Sequence, residues 1–145
     1  VAVQLSGWFV PRGSVVVSAA TRTGPPQDFR ANGNEALRNI PLVVLINGGS
    51  ASASEILAGA LRDLRGVKLI GEKSFGKGTV QQILPLRDES SIKITIAHWV
   101  LPKGQVLDNG GLVPDIEVKM TDEDVEELGR KIKEGIAGRH GLKVD

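Results

Sequence analysis

Leu42-Val43-Val44-Leu45-Ile46 is an unbroken apolar run closed by Asn47-Gly48-Gly49, the pattern of a central strand buried on both faces of a sheet. From Ala53 the period changes. Ile56, Leu57, Ala60, Leu61 and Leu64 recur at helical spacing, and Gly66 stands where a C-cap glycine belongs, which predicts a helix over about 53–65. Val67 to Ile70 is a second short apolar run, so strand, helix and strand over 42–71 predict a βαβ crossover with a parallel pair.

Val1 to Phe9 reads as a short helix, Pro11-Arg12-Gly13 as a turn, and Ser14 to Ala19 as a buried strand. Residues 21–41 contain Gly24-Pro25-Pro26 and Asn32-Gly33-Asn34 but few large apolar residues, the profile of a long surface excursion. Residues 82–86 and 91–101 predict a hairpin about the polar turn Arg87 to Ser90, and Pro85 places its first strand at an edge or a bulge. Ile92, Ile94 and Ile96 would share one face of the second strand. Ile116 to Val118 predicts a last short strand. Thr121, with Asp124 three residues on, then opens an amphipathic helix at about 122–137 whose stripe is Val125, Leu128, Ile132 and Ile136.

Composition narrows the chemistry. A chain of 145 residues with 41% hydrophobic content suffices for one domain with a core. Eighteen basic against seventeen acidic residues give a net charge of +1, so nucleic acid is not an expected partner. With no cysteine, neither a thiol nucleophile nor a disulfide framework is possible, and His98 and His140 are too few for most metal sites. No metal or cofactor is expected. No apolar stretch is long enough to span a bilayer, so direct membrane insertion is not expected either. The start at Val1, without methionine or a leader, reads as a piece of a longer protein.

Two segments carry candidate chemistry. Ser52-Ala53-Ser54-Glu55 has the Ser-x-x-Glu form of a capping box ahead of a helix. A strand-to-helix turn also exposes a serine hydroxyl as a nucleophile, with the N–H of Ala53 at the helix start as the natural oxyanion donor. Lys77 lies between Gly76 and Gly78, which permit close backbone approach, and it could act as a general base inside an apolar cleft. Gln81, four residues on, could share a face with Lys77 and orient its amine without restoring its charge. Each residue also has a plain structural reading, as a cap, a solvated lysine and a polar strand residue. Two other motifs overlap the lysine. Gly71 to Lys77 fits a phosphate-binding loop, but Gly78 replaces the hydroxyl residue that would bind Mg²⁺. Ser74-x-x-Lys77 fits a β-lactamase pattern that needs helical geometry, which Gly76 and Gly78 disfavour.

Gly49 to Ile56 and Phe75 to Gln81 resemble the carboxy-terminal processing peptidases, or tail-specific proteases. The 25-residue separation of Ser52 and Lys77 fits that family, as do Ala58-Gly59-Ala60-Leu61 with Asp63, Pro102-x-Gly104, and Gly111-Leu112-Val113-Pro114-Asp115-Ile116. The resemblance implies Ser52 as nucleophile, Lys77 as general base, Gln81 as the residue positioning Lys77 and Ala53 as an oxyanion donor, with Asp63 as a weaker candidate. It disfavours Ser50 and Ser54, and leaves His98 as a strand-face residue.

The fold so implied is α/β, a mixed sheet with flanking helices like the crotonase and caseinolytic-protease core, present in part. Residues 1–145 would form the C-terminal part of the catalytic domain, without its upstream segment and PDZ domain. The implied function is a serine endopeptidase acting near accessible C-terminal tails of proteins or peptides, in the periplasm, cell envelope or plastid lumen. A non-catalytic scaffold or peptide-binding module is the alternative for the isolated piece, and a phosphate-loop nucleotide binder the third.

Overall fold

The computed structural model describes residues 1–108, 110–119, 121–124, 126, 127, 129–131 and 134. In chain order its elements are α1 (Ala2–Ser6), β1 (Val15–Thr21), β2 (Gln27–Arg30), β3 (Val43–Ile46), α2 (Ala53–Arg65), β4 (Lys68–Gly71), β5 (Thr79–Pro85), β6 (Ser91–Val100) and β7 (Ile116–Glu117). They build two sheets. One is antiparallel in the order β2-β1-β6-β5, and the other is parallel in the order β3-β4-β7.

The βαβ reading holds, with β3 and β4 parallel and Val43 opposite Lys68 in register. Helix α2 starts and stops where its pattern predicts. Gly66 adopts the left-handed conformation, φ 68, and its N–H donates to Arg62 O, as a C-cap glycine does. One face of α2 is small because something must come close: a Cβ on Gly59 would lie 2.5 Å from Leu101 Cδ1. Leu101 joins Leu69, Leu107, Leu112, Val16 and Val17 in the core between α2 and the sheets.

Three expectations are corrected. Strand β3 is an edge strand and not a central one: β4 occupies the middle, and Val43 and Leu45 are 54% and 75% exposed because no described strand lies beyond them. The excursion at 21–41 contains β2, antiparallel to β1. It was hidden because only Phe29 turns inward, to meet Trp99 edge-to-face at 5.6 Å. Finally, β5 starts at Thr79, three residues earlier than the apolar pattern implies, and residues 81–96 are exposed on both faces. Pro85 does lie on an edge strand. Residues 122–124 are helical, and Thr121 N–H and Oγ1 both donate to Asp124 Oδ2 (2.8 and 2.7 Å), but the stripe residues Val125, Leu128, Ile132 and Ile136 lie outside the described residues.

Candidate active site

Strand β3 ends at Ile46 and hands the chain to α2 through a tight turn. Asn47 Oδ1 accepts the Gly49 N–H (3.0 Å), and Ser50 Oγ accepts the Asn47 N–H (3.2 Å). The turn delivers Ser52 at φ 54, ψ −112, a backbone conformation natural to glycine and strained for serine. Strain of this kind at a strand-to-helix turn projects a hydroxyl clear of its own backbone. The three serines of the motif are thereby distinguished. Ser50 Oγ is engaged by Asn47, and Ser54 Oγ donates to Ala51 O (2.8 Å). Ser52 Oγ faces the Glu55 N–H of the first helical turn as one half of a capping box, and its own O–H donates to no described acceptor. The Ala53 N–H has no acceptor among the described residues and sits at the positive end of α2.

The other half of the capping box leads further than a cap. The Ser52 N–H donates to Glu55 Oε2 at 2.8 Å, and the same oxygen accepts the Lys77 N–H at 3.0 Å. Glu55 Oε1 accepts the Gly76 N–H (2.7 Å) and the Ser74 hydroxyl (2.5 Å). Glu55 is fully buried, and four donors converge on its two oxygens, the arrangement that lets a carboxylate leave water without losing its partners. Thus the backbones of Ser52 and Lys77, 25 residues apart, are bound to one oxygen atom. A further link is the Phe75 N–H, which donates to Ser50 O at 2.9 Å.

The glycines beside Lys77 act as close-approach positions. A Cβ on Gly76, φ 88, would lie 2.8 Å from Gly111 N, and one on Gly78 would lie 2.6 Å from Asp108 N. The lysine loop is therefore pressed on one side against Gly110 and Gly111 and on the other against Leu107 and Asp108. Its backbone is fixed while the Lys77 side chain is exposed, so the apolar cleft expected around the amine is not formed by the described residues. The loop runs into β5 and not into a helix. The helix N-terminus on which a phosphate loop depends is missing after Lys77.

The remaining candidates separate. Gln81 lies in β5 opposite Thr95, exposed, with a bulge between Val80 and Gln81. Lys77 precedes the strand, in the loop held by Glu55, so the strand alternation on which the same-face argument rests does not extend to it. Ser52 Oγ, Lys77 Nζ and the Gln81 amide share no hydrogen bond among the described residues. Asp63 accepts the Lys103 N–H (3.1 Å) and pairs with Arg62 Nε (2.9 Å), so its side chain, 2% exposed, secures the Pro102 to Gly104 turn. His98 Nδ1 pairs with Asp108 Oδ2 beside Gly78.

Sequence reasoning missed Glu55 and Ser74 as organisers. Glu55 carries a visible signal as the fourth residue of the capping box, yet nothing local in the sequence points to donors 19 to 22 residues away. Ser74 accepts the Leu112 N–H (2.6 Å) and so ties the Gly111 to Asp115 motif into the same network.

Residues 1–118 match the family described as Peptidase family S41. The chain is 40% identical over 118 residues to a protein named carboxy-terminal-processing protease from Bartonella bacilliformis, covering 81% of this chain and 27% of that protein. It is 46% identical over 102 residues to a carboxyl-terminal-processing protease of Synechocystis sp., covering 70% and 24% respectively. The structure of a photosystem II D1 C-terminal processing protease superimposes with a TM-score of 0.72 at 38% identity, over 81% of this chain and 30% of that one. The chain thus spans about a quarter of the length of the relatives it matches.

Proposed function

Because the chain belongs to peptidase family S41, we propose that the protein carrying it is a serine endopeptidase that cleaves polypeptides near their carboxyl termini, with Ser52 as nucleophile and Lys77 as general base. The observation that carries this reading is the single Glu55 oxygen bound by the backbone N–H groups of both Ser52 and Lys77. A fixed carboxylate that holds both backbones, with the Phe75 N–H to Ser50 O bond beside it, sets the serine turn and the lysine loop side by side.

The chemistry follows from the placement. Ser52 Oγ attacks the scissile carbonyl carbon while its proton passes to the Lys77 amine. The tetrahedral oxyanion draws on the Ala53 N–H and the α2 dipole. Collapse breaks the C–N bond, the proton moves from Lys77 to the departing amine, and an ester on Ser52 remains. Water, deprotonated by Lys77, then hydrolyses that ester and regenerates the hydroxyl. Lys77 can act as base only if its amine is desolvated in the assembled site, by further chain or by the substrate laid across it. In this reading Gln81 orients the amine when the site is assembled, whereas Asp63 serves the fold.

The natural substrates proposed are proteins with accessible C-terminal tails, gathered by a PDZ domain elsewhere in the protein. The compartment proposed is the bacterial periplasm, the cell envelope or a plastid lumen. Relatives named as chloroplastic, from Tetradesmus obliquus and Arabidopsis thaliana, support the plastid branch. The second reading, a peptide-binding piece without catalysis of its own, is favoured for the isolated chain by the exposed Lys77 side chain and the absent Ser52–Lys77 hydrogen bond. Treating the full-length protein and the isolated chain with a serine-directed fluorophosphonate or β-lactone separates the two. Labelling of Ser52 in the full-length protein, lost in Ser52→Ala together with peptide cleavage, is expected. Cleavage that persists in Ser52→Ala would refute the assignment.

A further inference from the structure

We propose that the outer edge of β5, which no described strand pairs, is a docking ledge on which an extended, unfolded stretch of substrate polypeptide adds to the antiparallel sheet as a fifth strand. The inference rests on the peptidase reading above and concerns where the substrate lies.

The ladder between β5 and β6 determines which backbone groups are free. Trp99 N–H donates to Gly78 O (2.7 Å) and Leu86 N–H donates to Ser90 O (2.8 Å), so these residues face the partner strand. Alternation in an antiparallel pair then turns Val80, Gln82 and Leu84 toward β6, and leaves Thr79, Gln81 and Ile83 with N–H and C=O directed outward. Pro85 falls in the outward set. Its missing N–H costs the ladder nothing, and the row of outward donors stops there.

The two edges of this sheet differ in how they are guarded. On β2 the outer edge carries Asp28 and Arg30, paired at 2.7 Å, and charge on an edge discourages a further strand. Residues 79–85 carry no charge at all. An uncharged edge with three open donor and acceptor pairs is a template for another extended chain, and β-strand addition is a general mode of peptide recognition.

What makes the occupant a substrate is continuity with the reacting groups. Strand β5 begins two residues after Lys77, and the loop between is tied to the Ser52 turn through Glu55 and through Phe75 N–H to Ser50 O. A chain lying along the outer edge of β5 would therefore have one end beside the loop that carries Lys77 and is tied to the Ser52 turn. The other uncharged edge, β3, belongs to a parallel sheet with Leu45 75% exposed beside a cavity of about 620 Å³.

The test uses the full-length protein and a peptide it cleaves, resynthesised with one backbone N-methyl group at each position in turn. Strand addition predicts that KM rises roughly three- to tenfold at every second residue on one side of the scissile bond, the effect of one lost hydrogen bond. Positions between these should change little. Ile83→Pro removes an outward N–H while keeping the β6 ladder, as Pro85 does naturally. It should raise KM for the long peptide by a similar factor and leave acylation of Ser52 by a small serine-directed probe unchanged, with Ile83→Ala as the side-chain control. A flat or non-alternating N-methyl profile, or an Ile83→Pro protein with unaltered KM, would overturn the ledge while leaving the peptidase reading intact. A wild-type protein that cleaves no peptide and takes no label at Ser52 would overturn both.

Discussion

Ser74 Oγ donates to Glu55 Oε1 at 2.5 Å and accepts the Leu112 N–H at 2.6 Å, so one buried hydroxyl connects the carboxylate at the nucleophile turn to the Gly111 to Asp115 segment. Both partners are buried with it. Ser74→Ala leaves a buried N–H and part of a buried carboxylate without hydrogen bonds, which costs about 1–3 kcal/mol of unfolding free energy. Ser74→Thr keeps the hydroxyl and should recover most of that loss if the extra methyl is accommodated. Urea unfolding of the three proteins measures it, and a Ser74→Ala protein as stable as wild type would show the bridge to be idle.

Glu55→Gln keeps the shape and removes half the acceptors. Its amide NH₂ would point donors at backbone N–H groups, of either Ser52 and Lys77 or Gly76, whichever way it turns. A backbone N–H left facing another donor in the interior costs about 1–3 kcal/mol. Peptide cleavage by the folded fraction should fall by more than about tenfold through kcat, since the misplaced groups act in the transition state and not in substrate affinity. Steady-state kinetics after correction for the folded fraction provide the check, and an unchanged kcat would deny Glu55 its positioning role.

Ser52 sits at φ 54, where a non-glycine residue is strained by about 1–3 kcal/mol. Glycine relieves that strain but frees the unfolded chain, a penalty of about 0.5–1 kcal/mol. The balance predicts that Ser52→Gly melts at or above the wild-type temperature while peptide cleavage is abolished. Ser52→Ala keeps the strain and should not share the gain. Differential scanning calorimetry of the three proteins reports the order, and a Ser52→Gly protein clearly less stable than Ser52→Ala would contradict the strain argument.

Helix α2 is legible in the sequence to the residue, because its start, period and C-cap glycine are all local signals. The βαβ unit is legible for the same reason. What is not legible is burial, because a run such as Val43 to Ile46 reports affinity for apolar surroundings and not whether a neighbouring strand is present. Strand β2 escapes notice because its exposed Gln27 and Asp28 carry no apolar alternation. At the candidate site, Gly76 and Gly78 announce close approach, and the structure identifies what approaches. Glu55 shows the limit most clearly: its capping role is written within four residues, whereas three of its four donors come from a loop about twenty residues on.

Asp115 provides a pH-dependent reading of the parallel sheet. Its carboxylate accepts the Leu69 N–H (2.9 Å) and the Lys68 ammonium (3.2 Å), fastening the start of β7 to β4. The Leu69 N–H first, and Lys68 second, hold the Asp115 carboxyl below its ordinary aspartate value. A carboxyl depressed in the folded state binds its proton more readily when unfolded. Its stabilisation is therefore complete above the unfolded value, about pH 4, and is lost as pH falls through the lower folded value. Asp115→Asn retains an acceptor for Leu69 but no charge for Lys68. The variant should be the less stable protein at pH 7, and the difference in melting temperature should shrink as pH is lowered from about 4 toward 2. Because Glu35, Asp88 and Asp124 are also depressed, both proteins lose stability in acid, and only the difference between their curves reports Asp115. A difference that stays constant across that range would mean that the charge of Asp115 contributes nothing to the junction of β4 and β7.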